Sequence, residues 1–234
     1  ATIEYYSVDK ADNHEQKKNL TVRIDKTPPK IISVTMTNDG YFSPNGDGVF
    51  DTVTITMTAS EMVDWGQTKV YNETEILVKY FMGVDNVTSL TKTWDGKPSG
   101  GTEPVPDGVY TVNTTITDKA GWTNTTEVGE FVVDTKPPAL TDISVTNITA
   151  DSARIVWNTT GDPSDSLVKY NESGNTTILE EYDPSYVTEH SILLQGLTPN
   201  TTYNYKVNST DKAGNTNESN WYNFTTPLGY GINL

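Results

Sequence analysis

Residues 43–51 (SPNGDGVFD) are rich in glycine and in side chains that carry oxygen. Oxygen atoms that could bind a cation fall at every second position: the side chains of Ser43, Asn45, Asp47 and Asp51, and the backbone carbonyl of Val49. Oxygens at alternate positions around a glycine turn are the ligand pattern of calcium-binding loops. The sequence therefore predicts a calcium site in this run, which we call the acidic loop.

The acidic loop departs from helix-flanked calcium sites at its end, where Thr54 stands in place of a bidentate glutamate. Its flanks also alternate between apolar and polar residues, as strands do. The alternative interpretation is a tight turn that Asn, Gly and Asp stabilise without any metal.

Alternating residues on both sides of the acidic loop predict two antiparallel strands that position it. The apolar positions are Ile32, Val34 and Met36 before the loop, and Val53, Ile55 and Met57 after it. The chain of 234 residues also contains 13 tyrosines, abundant threonine and no cysteine. This composition is typical of β-sandwiches with one buried and one solvated sheet face. We therefore predict an all-β fold.

The net charge excludes several classes of partner. With 31 acidic and 16 basic side chains the chain carries a formal charge of −15, which opposes binding to nucleic acid or anionic lipid. No apolar run is long enough to span a membrane, and the first residues lack the pattern of a signal peptide. Any targeting or anchoring segment is expected outside this chain.

Two short sequences recur along the chain. The turn sequence Asp-Lys-Ala occurs at residues 9–13 (turn 1), 118–122 (turn 2) and 211–215 (turn 3). A linker that ends in Pro-Pro occurs at residues 25–29 (linker 1) and 134–138 (linker 2). The linkers lie 109 residues apart (134 − 25), which matches the length of about 100 residues of one sandwich domain. The repeats therefore predict tandem domains with the same order of strands.

The repeated turns and linkers divide the chain into four parts. Residues 28–136 and 137–227 are predicted to be whole sandwich domains, and residues 228–234 a tail. Residues 1–27 are predicted to be the terminal hairpin of an incomplete Ig-like domain. An isolated hairpin is marginal in water, so we expect it to pair with a neighbouring Ig-like domain of the same or another copy. Strand polarity also predicts that the acidic loop lies beside linker 2 and turn 3.

Two motifs carry a resemblance for residues 28–136. The run SPNGDG precedes a strand, and WDG at residues 94–96 is followed by PVPDGVY at residues 104–110. Together these motifs resemble the Ig-like domain of the flagellar hook-capping family and related prokaryotic surface modules. Tyr110, Val112, Thr114 and Ile116 are predicted to face the core, which leaves Asn113 outward.

Residues 137–227 resemble a fibronectin type III domain. Ala153, Ile155 and Trp157 alternate inward on the predicted second strand. The run LQGLTPNTTY at residues 194–203 resembles the family's turn into strand F, and this resemblance implies that Tyr203 is the corner tyrosine.

Asparagine indicates the compartment. Thirteen asparagines stand in the sequon Asn-x-Ser/Thr, far more than the Ser and Thr content would give by chance: Asn19, Asn72, Asn86, Asn113, Asn124, Asn147, Asn158, Asn171, Asn175, Asn200, Asn208, Asn217 and Asn223. Such sites mark surface positions of exported glycoproteins. Together with the resemblance to prokaryotic surface proteins, they favour an archaeal cell-surface protein with N-linked glycans. The alternative is that a Thr-rich β protein generates sequons freely.

No arrangement typical of catalysis is evident. His14 and His190 lack a nearby nucleophile motif and are predicted to be solvated, and the acidic residues are scattered. Trp94 and Trp157 are predicted core residues. Trp122 is predicted to be exposed, either packed on the neighbouring linker or acting as a stacking platform for sugars.

These observations predict a non-catalytic structural or adhesive segment of an extracellular protein of the S-layer type, with calcium stiffening the domain array. Pro-Pro linkers hold extended backbone and stiffen such joints. The alternatives are an accessory region of a secreted hydrolase and a module that binds surface glycans.

Overall fold

The computed structural model describes residues 1–83 and 86–229. In these residues the chain consists of eighteen β-strands and one short 3-10 turn, Thr37–Gly40. The strands form five sheets, and the predicted all-β class is confirmed. No helix in the described part of the chain has the length and apolarity needed to cross a bilayer.

The N-terminal hairpin forms a sheet of its own. Strand β1 (Thr2–Tyr5) pairs antiparallel with β2 (Lys18–Thr21), and Ile3 lies opposite Leu20. No residue between the first residue and Arg23 is fully buried. The hairpin therefore has the strand pairing of a sandwich edge, and no second sheet within the described residues covers it.

Residues that follow linker 1 form the first sandwich. Its strands are β3 (Ile31–Met36), β4 (Tyr41–Phe42), β5 (Val53–Val63), β6 (Trp65–Tyr71), β7 (Leu77–Met82), β8 (Val87–Trp94), β9 (Gly108–Thr117) and β10 (Thr123–Val133). One sheet has the order β3-β5-β8, and the other has the order β4-β10-β9-β6-β7. Strand β4 runs parallel to β10, and all other pairs are antiparallel.

The second sandwich, after linker 2, has the same strand order except that its described residues include no counterpart of β4. Its strands are β11 (Ala139–Thr146), β12 (Ser152–Thr160), β13 (Ser164–Glu172), β14 (Leu179–Val187), β15 (Glu189–Gln195), β16 (Thr202–Thr210), β17 (Thr216–Glu218) and β18 (Tyr222–Thr225). One sheet has the order β11-β12-β15; the other has the order β14-β13-β16-β17, with β18 also paired to β16.

A tryptophan occupies the centre of each core. Trp94 is fully buried and contacts the rings of Phe42, Tyr110 and Phe131. Trp157 is buried in the second sandwich, where its indole N–H donates to the Ser209 hydroxyl at 3.0 Å. The inward positions predicted on β5, β9 and β12 are all buried, as their two-residue period requires.

One predicted inward position is wrong. Ile32 is 64% exposed, whereas Ile31 packs against the first core together with Val34 and Met36. The register between β3 and β5 shifts between Ile31 and Ser33, which marks a bulge. A bulge inserts one residue and so moves the start of the strand to the opposite face.

Both sandwiches contain a tyrosine corner. The Tyr203 hydroxyl accepts the Thr198 amide at 2.8 Å and lies 3.1 Å from Glu172 Oε1, so its predicted role is confirmed. In the first sandwich the Tyr110 hydroxyl donates to the Pro106 carbonyl at 2.7 Å. Of the predicted tail, residues 230–234 lie outside the described residues.

Candidate functional site

The three Asp-Lys-Ala turns share one hydrogen-bond network. In each, the Asp amide donates to the carbonyl of the fifth residue, at 3.0 to 3.1 Å. The Asp Oδ1 accepts the amide of that fifth residue in all three turns, at 3.0 Å. The fourth residue has a positive φ each time, which suits glycine in turns 2 and 3. The repeated sequence therefore forms the same turn three times, as predicted.

Turn 3 docks on linker 2. The Asn215 side-chain amide donates to the Asp134 carbonyl at 2.9 Å. Two residues later, the Asn217 side-chain amide donates to the Pro138 carbonyl, also at 2.9 Å. We call this arrangement the second joint.

Turn 2 docks on linker 1 in the same way. The Trp122 indole N–H donates to the Asp25 carbonyl at 3.1 Å, and the Asn124 side-chain amide donates to the Pro29 carbonyl at 3.0 Å. We call this the first joint. Trp122 is 45% exposed, so its predicted exposure and its packing on the neighbouring linker are both confirmed.

The acidic loop covers the second joint from the side of the first sandwich. A Cβ atom on Gly214 would lie 2.6 Å from the Phe50 ring and 2.9 Å from a Val49 methyl, so these side chains touch turn 3. The Asn38 side-chain amide also donates to the Lys212 carbonyl at 2.6 Å. The predicted position of the loop beside linker 2 and turn 3 is therefore confirmed.

Hydrogen bonds within the acidic loop engage most of the predicted calcium ligands. The Asp51 carboxylate accepts the Gly46 amide at 2.6 Å on one oxygen and the Gly48 amide at 2.8 Å on the other. The Asp47 carboxylate accepts the Val49 amide at 2.7 Å.

Two further predicted ligands take part in this loop. The Asn45 side-chain oxygen accepts the Asp47 amide at 2.9 Å, and Ser43 Oγ is buried without a hydrogen-bond partner. Each carboxylate oxygen has a second lone pair, so the loop retains capacity for a cation. Calcium binding by Ser43, Asn45, Asp47, Val49 and Asp51 stays a prediction.

Acidic groups crowd the second joint. Burial, assisted by the charges of Asp211 and Asp162, raises the pKa of Asp134 to about 6. Burial also raises the pKa of Asp211 above its ordinary value. Lys136 offsets part of this charge through an ion pair with Asp107 at 2.7 Å.

Every sequon asparagine lies at least partly in solvent, since six are exposed and seven are half-buried. Two of the half-buried ones, Asn124 and Asn217, are the amide donors at the joints. The sequence analysis identified these two asparagines only as sequons. Each lies two residues after an Asp-Lys-Ala turn, and this shared position is the sequence signal that could have predicted their contact with the linker.

The prediction that His190 is solvated is wrong. Its ring is 2% exposed, stacks on Trp157 at 4.8 Å between centroids, and hydrogen-bonds to Thr159 and Ser166. Burial lowers its pKa, which favours the neutral ring. His190 is therefore a core residue. His14 is exposed, as predicted.

The N-terminal hairpin exposes a face that both sandwiches bury. By alignment of the turns, Ile3 corresponds to Val112, which is fully buried, yet Ile3 is 50% exposed. Ile24, just before linker 1, corresponds to Val133, and their exposures are 66% and 1%. The hairpin therefore presents the inner face of a sandwich to solvent.

Comparisons with known proteins find one family model that matches each sandwich. Residues 28–135 match the model described as "Bacterial Ig-like domain". Residues 138–226 match "Purple acid Phosphatase, N-terminal domain". A search of curated proteins gives no significant match.

Solved structures with several domains match most of the chain. Domains A168–A170 of titin align with a TM-score of 0.54 at 14% identity, covering 96% of this chain and 82% of that one. The FN1–FN3 domains of chicken CNTN1 align with a TM-score of 0.51 at 14% identity, covering 96% and 76%. At these identities the likeness concerns the fold alone. The chain is a tandem of Ig-like and fibronectin-III-like β-sandwich domains.

Proposed function

We propose that this chain is a non-catalytic structural or adhesive segment of an extracellular, N-glycosylated cell-surface protein, of archaeal origin and S-layer type. The observation that carries the proposal is the repeated joint. At each one, side-chain N–H groups of a turn, and of the asparagine two positions after it, donate to the carbonyls of the preceding linker. Such contacts hold successive domains in a defined relation, which suits a stalk or a lattice.

The test of this function is the location of the protein on source cells. Antibody against this chain should label intact cells, and proteolysis of intact cells should release its fragments. Deletion of the gene should alter the surface layer or the attachment of the cells. Labelling only after lysis would contradict the proposal.

A second candidate is an accessory region of a secreted hydrolase. The match of the second sandwich to the N-terminal domain of purple acid phosphatases favours this alternative. That domain is a non-catalytic module, so any reaction would belong to another part of the polypeptide. Hydrolysis of phosphate esters by the full-length protein from source cells, with none by this chain, would favour the hydrolase over the surface layer.

A third candidate is binding of surface glycans through exposed aromatic rings. Trp122 and Trp221 are both about half exposed, at 45% and 46%. Lys206 lies over the Trp221 ring at 5.0 Å from its centroid. A glycan array with this chain decides: binding that is lost in Trp221→Ala would support the role, and no binding would remove it.

We propose further that the sequons carry glycans in native material. Support comes from their number and from the absence of a buried member among the thirteen. Mass spectrometry of glycopeptides should find most sites occupied. Occupancy should be lowest at Asn124 and Asn217, because a glycan replaces one hydrogen of the amide that the joint uses. Unmodified asparagine at all thirteen sites would contradict the proposal.

The N-terminal hairpin is proposed to complete a sandwich with strands of a neighbouring Ig-like domain, in the same or another copy. The support is its solvent-facing Ile3 and Ile24, whose counterparts are core residues. Amide exchange of β1 and β2 should be fast in this isolated chain and slow in native assemblies. Fast exchange in both would remove this partner.

A further inference from the structure

Three carboxylates meet at the first joint. Asp25 of linker 1, Glu61 of β5 and Asp118 of turn 2 place one ligand oxygen each within 4.8 Å of the others. Glu61 lies where the pairing of β5 with β8 shifts register, between Thr58 and Val63. A bulge of this kind redirects a side chain, and here it brings Glu61 to the joint.

One oxygen of this cluster is buried and has no partner. Asp118 is 4% exposed, and its Oδ1 accepts the amides of Ala120 and Trp122. Its Oδ2 is buried and accepts no hydrogen bond in the described structure. A buried, uncompensated carboxylate oxygen is costly, so this atom points to a ligand.

The other two turns explain why this oxygen is free. In turn 1 the Asn13 side-chain amide donates to Asp9 Oδ2 at 2.8 Å, and in turn 3 the Asn215 amide donates to Asp211 Oδ2 at 3.0 Å. Turn 2 carries Trp122 at that position, and its indole N–H donates to the Asp25 carbonyl instead. The same turn therefore lacks one donor only where the three carboxylates converge.

Charge at the cluster is also uncompensated by protein cations. None of the ion pairs in residues 1–83 and 86–229 includes Asp25, Glu61 or Asp118. Burial, assisted by the charges of Asp25 and Asp118, raises the pKa of Glu61. A cation would relieve this repulsion between the carboxylates.

We propose that Asp25, Glu61 and Asp118 bind a calcium ion at the first joint. Calcium takes carboxylate oxygens at about 2.3–2.6 Å, so opposite ligands lie up to about 5 Å apart, which accommodates the observed spacing. The ion would connect linker 1, strand β5 and turn 2. Its mechanical use rests on the proposed stalk function, but binding itself does not, and it is distinct from the predicted site in the acidic loop.

The test measures binding to the full chain by calorimetry with calcium, and by terbium luminescence excited through the adjacent Trp122. A Kd of about 10⁻⁴–10⁻³ M is expected for an extracellular module. Asp25→Asn with Glu61→Gln should raise this Kd at least tenfold. Trp122→Asn should have the same effect, because it restores the amide donor that turns 1 and 3 possess.

Two controls separate this site from other features. Asp47→Ala with Asp51→Ala removes the acidic-loop carboxylates and should leave the terbium signal unchanged. Trp122→Phe should abolish sensitised luminescence but retain calcium binding by calorimetry. The proposal is overturned if the folded variant with Asp25→Asn and Glu61→Gln binds calcium as the parent does. It is also overturned if the terbium signal disappears with the acidic-loop carboxylates.

Discussion

The two joints share the same hydrogen bonds from side chains to linker carbonyls, and they differ in the residues that surround these bonds. In both, the side chain of the fifth residue of the turn donates to the linker Asp carbonyl, and the Asn side chain two positions after the turn donates to the carbonyl of the second proline. At the first joint the fifth residue is the exposed Trp122. At the second joint the fifth residue is Asn215, which is 4% exposed and also donates a hydrogen bond to Asp211 Oδ2.

The second joint has a further layer of contacts from the unit before it. Phe50 and Val49 of the acidic loop pack on Gly214, and Asn38 donates to the Lys212 carbonyl. At the equivalent position of turn 2, nothing in the residues that the structure describes lies within 4 Å of a Cβ placed on Gly121. The comparison teaches that a repeated motif defines the docking geometry, while the preceding domain decides how firmly the joint is covered.

The largest effect is expected from a pair of glycine variants. Gly214→Ala should destabilise the second sandwich by about 2–3 kcal/mol, because it adds strain at φ +89° to contact with Phe50 and Val49. Gly121→Ala has similar strain at φ +86° with no atom within 4 Å, so it should cost only about 1 kcal/mol.

Thermal unfolding of both variants measures this difference, and amide exchange of the acidic loop locates it. Exchange in residues 43–51 should rise for Gly214→Ala only. Equal destabilisation by the two variants would mean that the acidic loop does not bear on turn 3.

Calcium in the acidic loop should strengthen the covered joint. At ten times its Kd, calcium stabilises the bound form by about 1.4 kcal/mol. Chelation, or Asp47→Ala with Asp51→Ala, should therefore lower the melting temperature of the first sandwich and increase bending between the sandwiches in solution scattering. If calcium changes neither quantity, the loop is a turn that its own amides hold.

The amide donors offer a matched comparison of the joints. Asn124→Ala and Asn217→Ala each leave a buried proline carbonyl without its donor, at about 1 kcal/mol. Bending should increase more for Asn124→Ala, because the second joint retains its acidic-loop contacts. Solution scattering and amide exchange at each linker measure this, and greater bending in Asn217→Ala would reverse the proposed order of strength.

The smallest effect concerns pH, with opposite signs at the two linker aspartates. The pKa of Asp134 is raised to about 6 in the folded protein, so folding favours the protonated carboxyl. Its contribution to stability is present below about pH 4 and is lost as pH rises through 6. After allowance for solvent screening, we expect about 1 kcal/mol.

Asp25 behaves in the opposite way, because hydrogen bonds from Thr27 lower its pKa. Its contribution is present above its unfolded pKa and is lost in acid. The Asp134→Asn variant lacks the carboxyl that titrates near pH 6. Its melting temperature should therefore change less between pH 4 and pH 7 than that of the parent. An identical pH profile in both proteins would show that Asp134 does not titrate in this range.

Local patterns in the sequence determined the architecture. The two-residue alternation on β5, β9 and β12 predicted the inward faces, and the repeated turns and linkers predicted tandem sandwiches of one topology. These signals are reliable because each strand's own period decides which side chains can share a face. The bulge at Ile31 marks their limit, since one inserted residue leaves little trace in the pattern.

Contacts between distant segments were decided only by the tertiary structure. No pattern in the sequence predicts that Glu61 lies close to Asp25 and Asp118. Their proximity depends on a bulge in β5 and on the docking of turn 2 against linker 1. From the sequence, Asn124 and Asn217 are predicted only to be glycan acceptors. The structure shows that their side-chain amides also donate to linker carbonyls. Periodicity describes one strand at a time, whereas a site at a joint depends on how two sheets and a linker are placed in space.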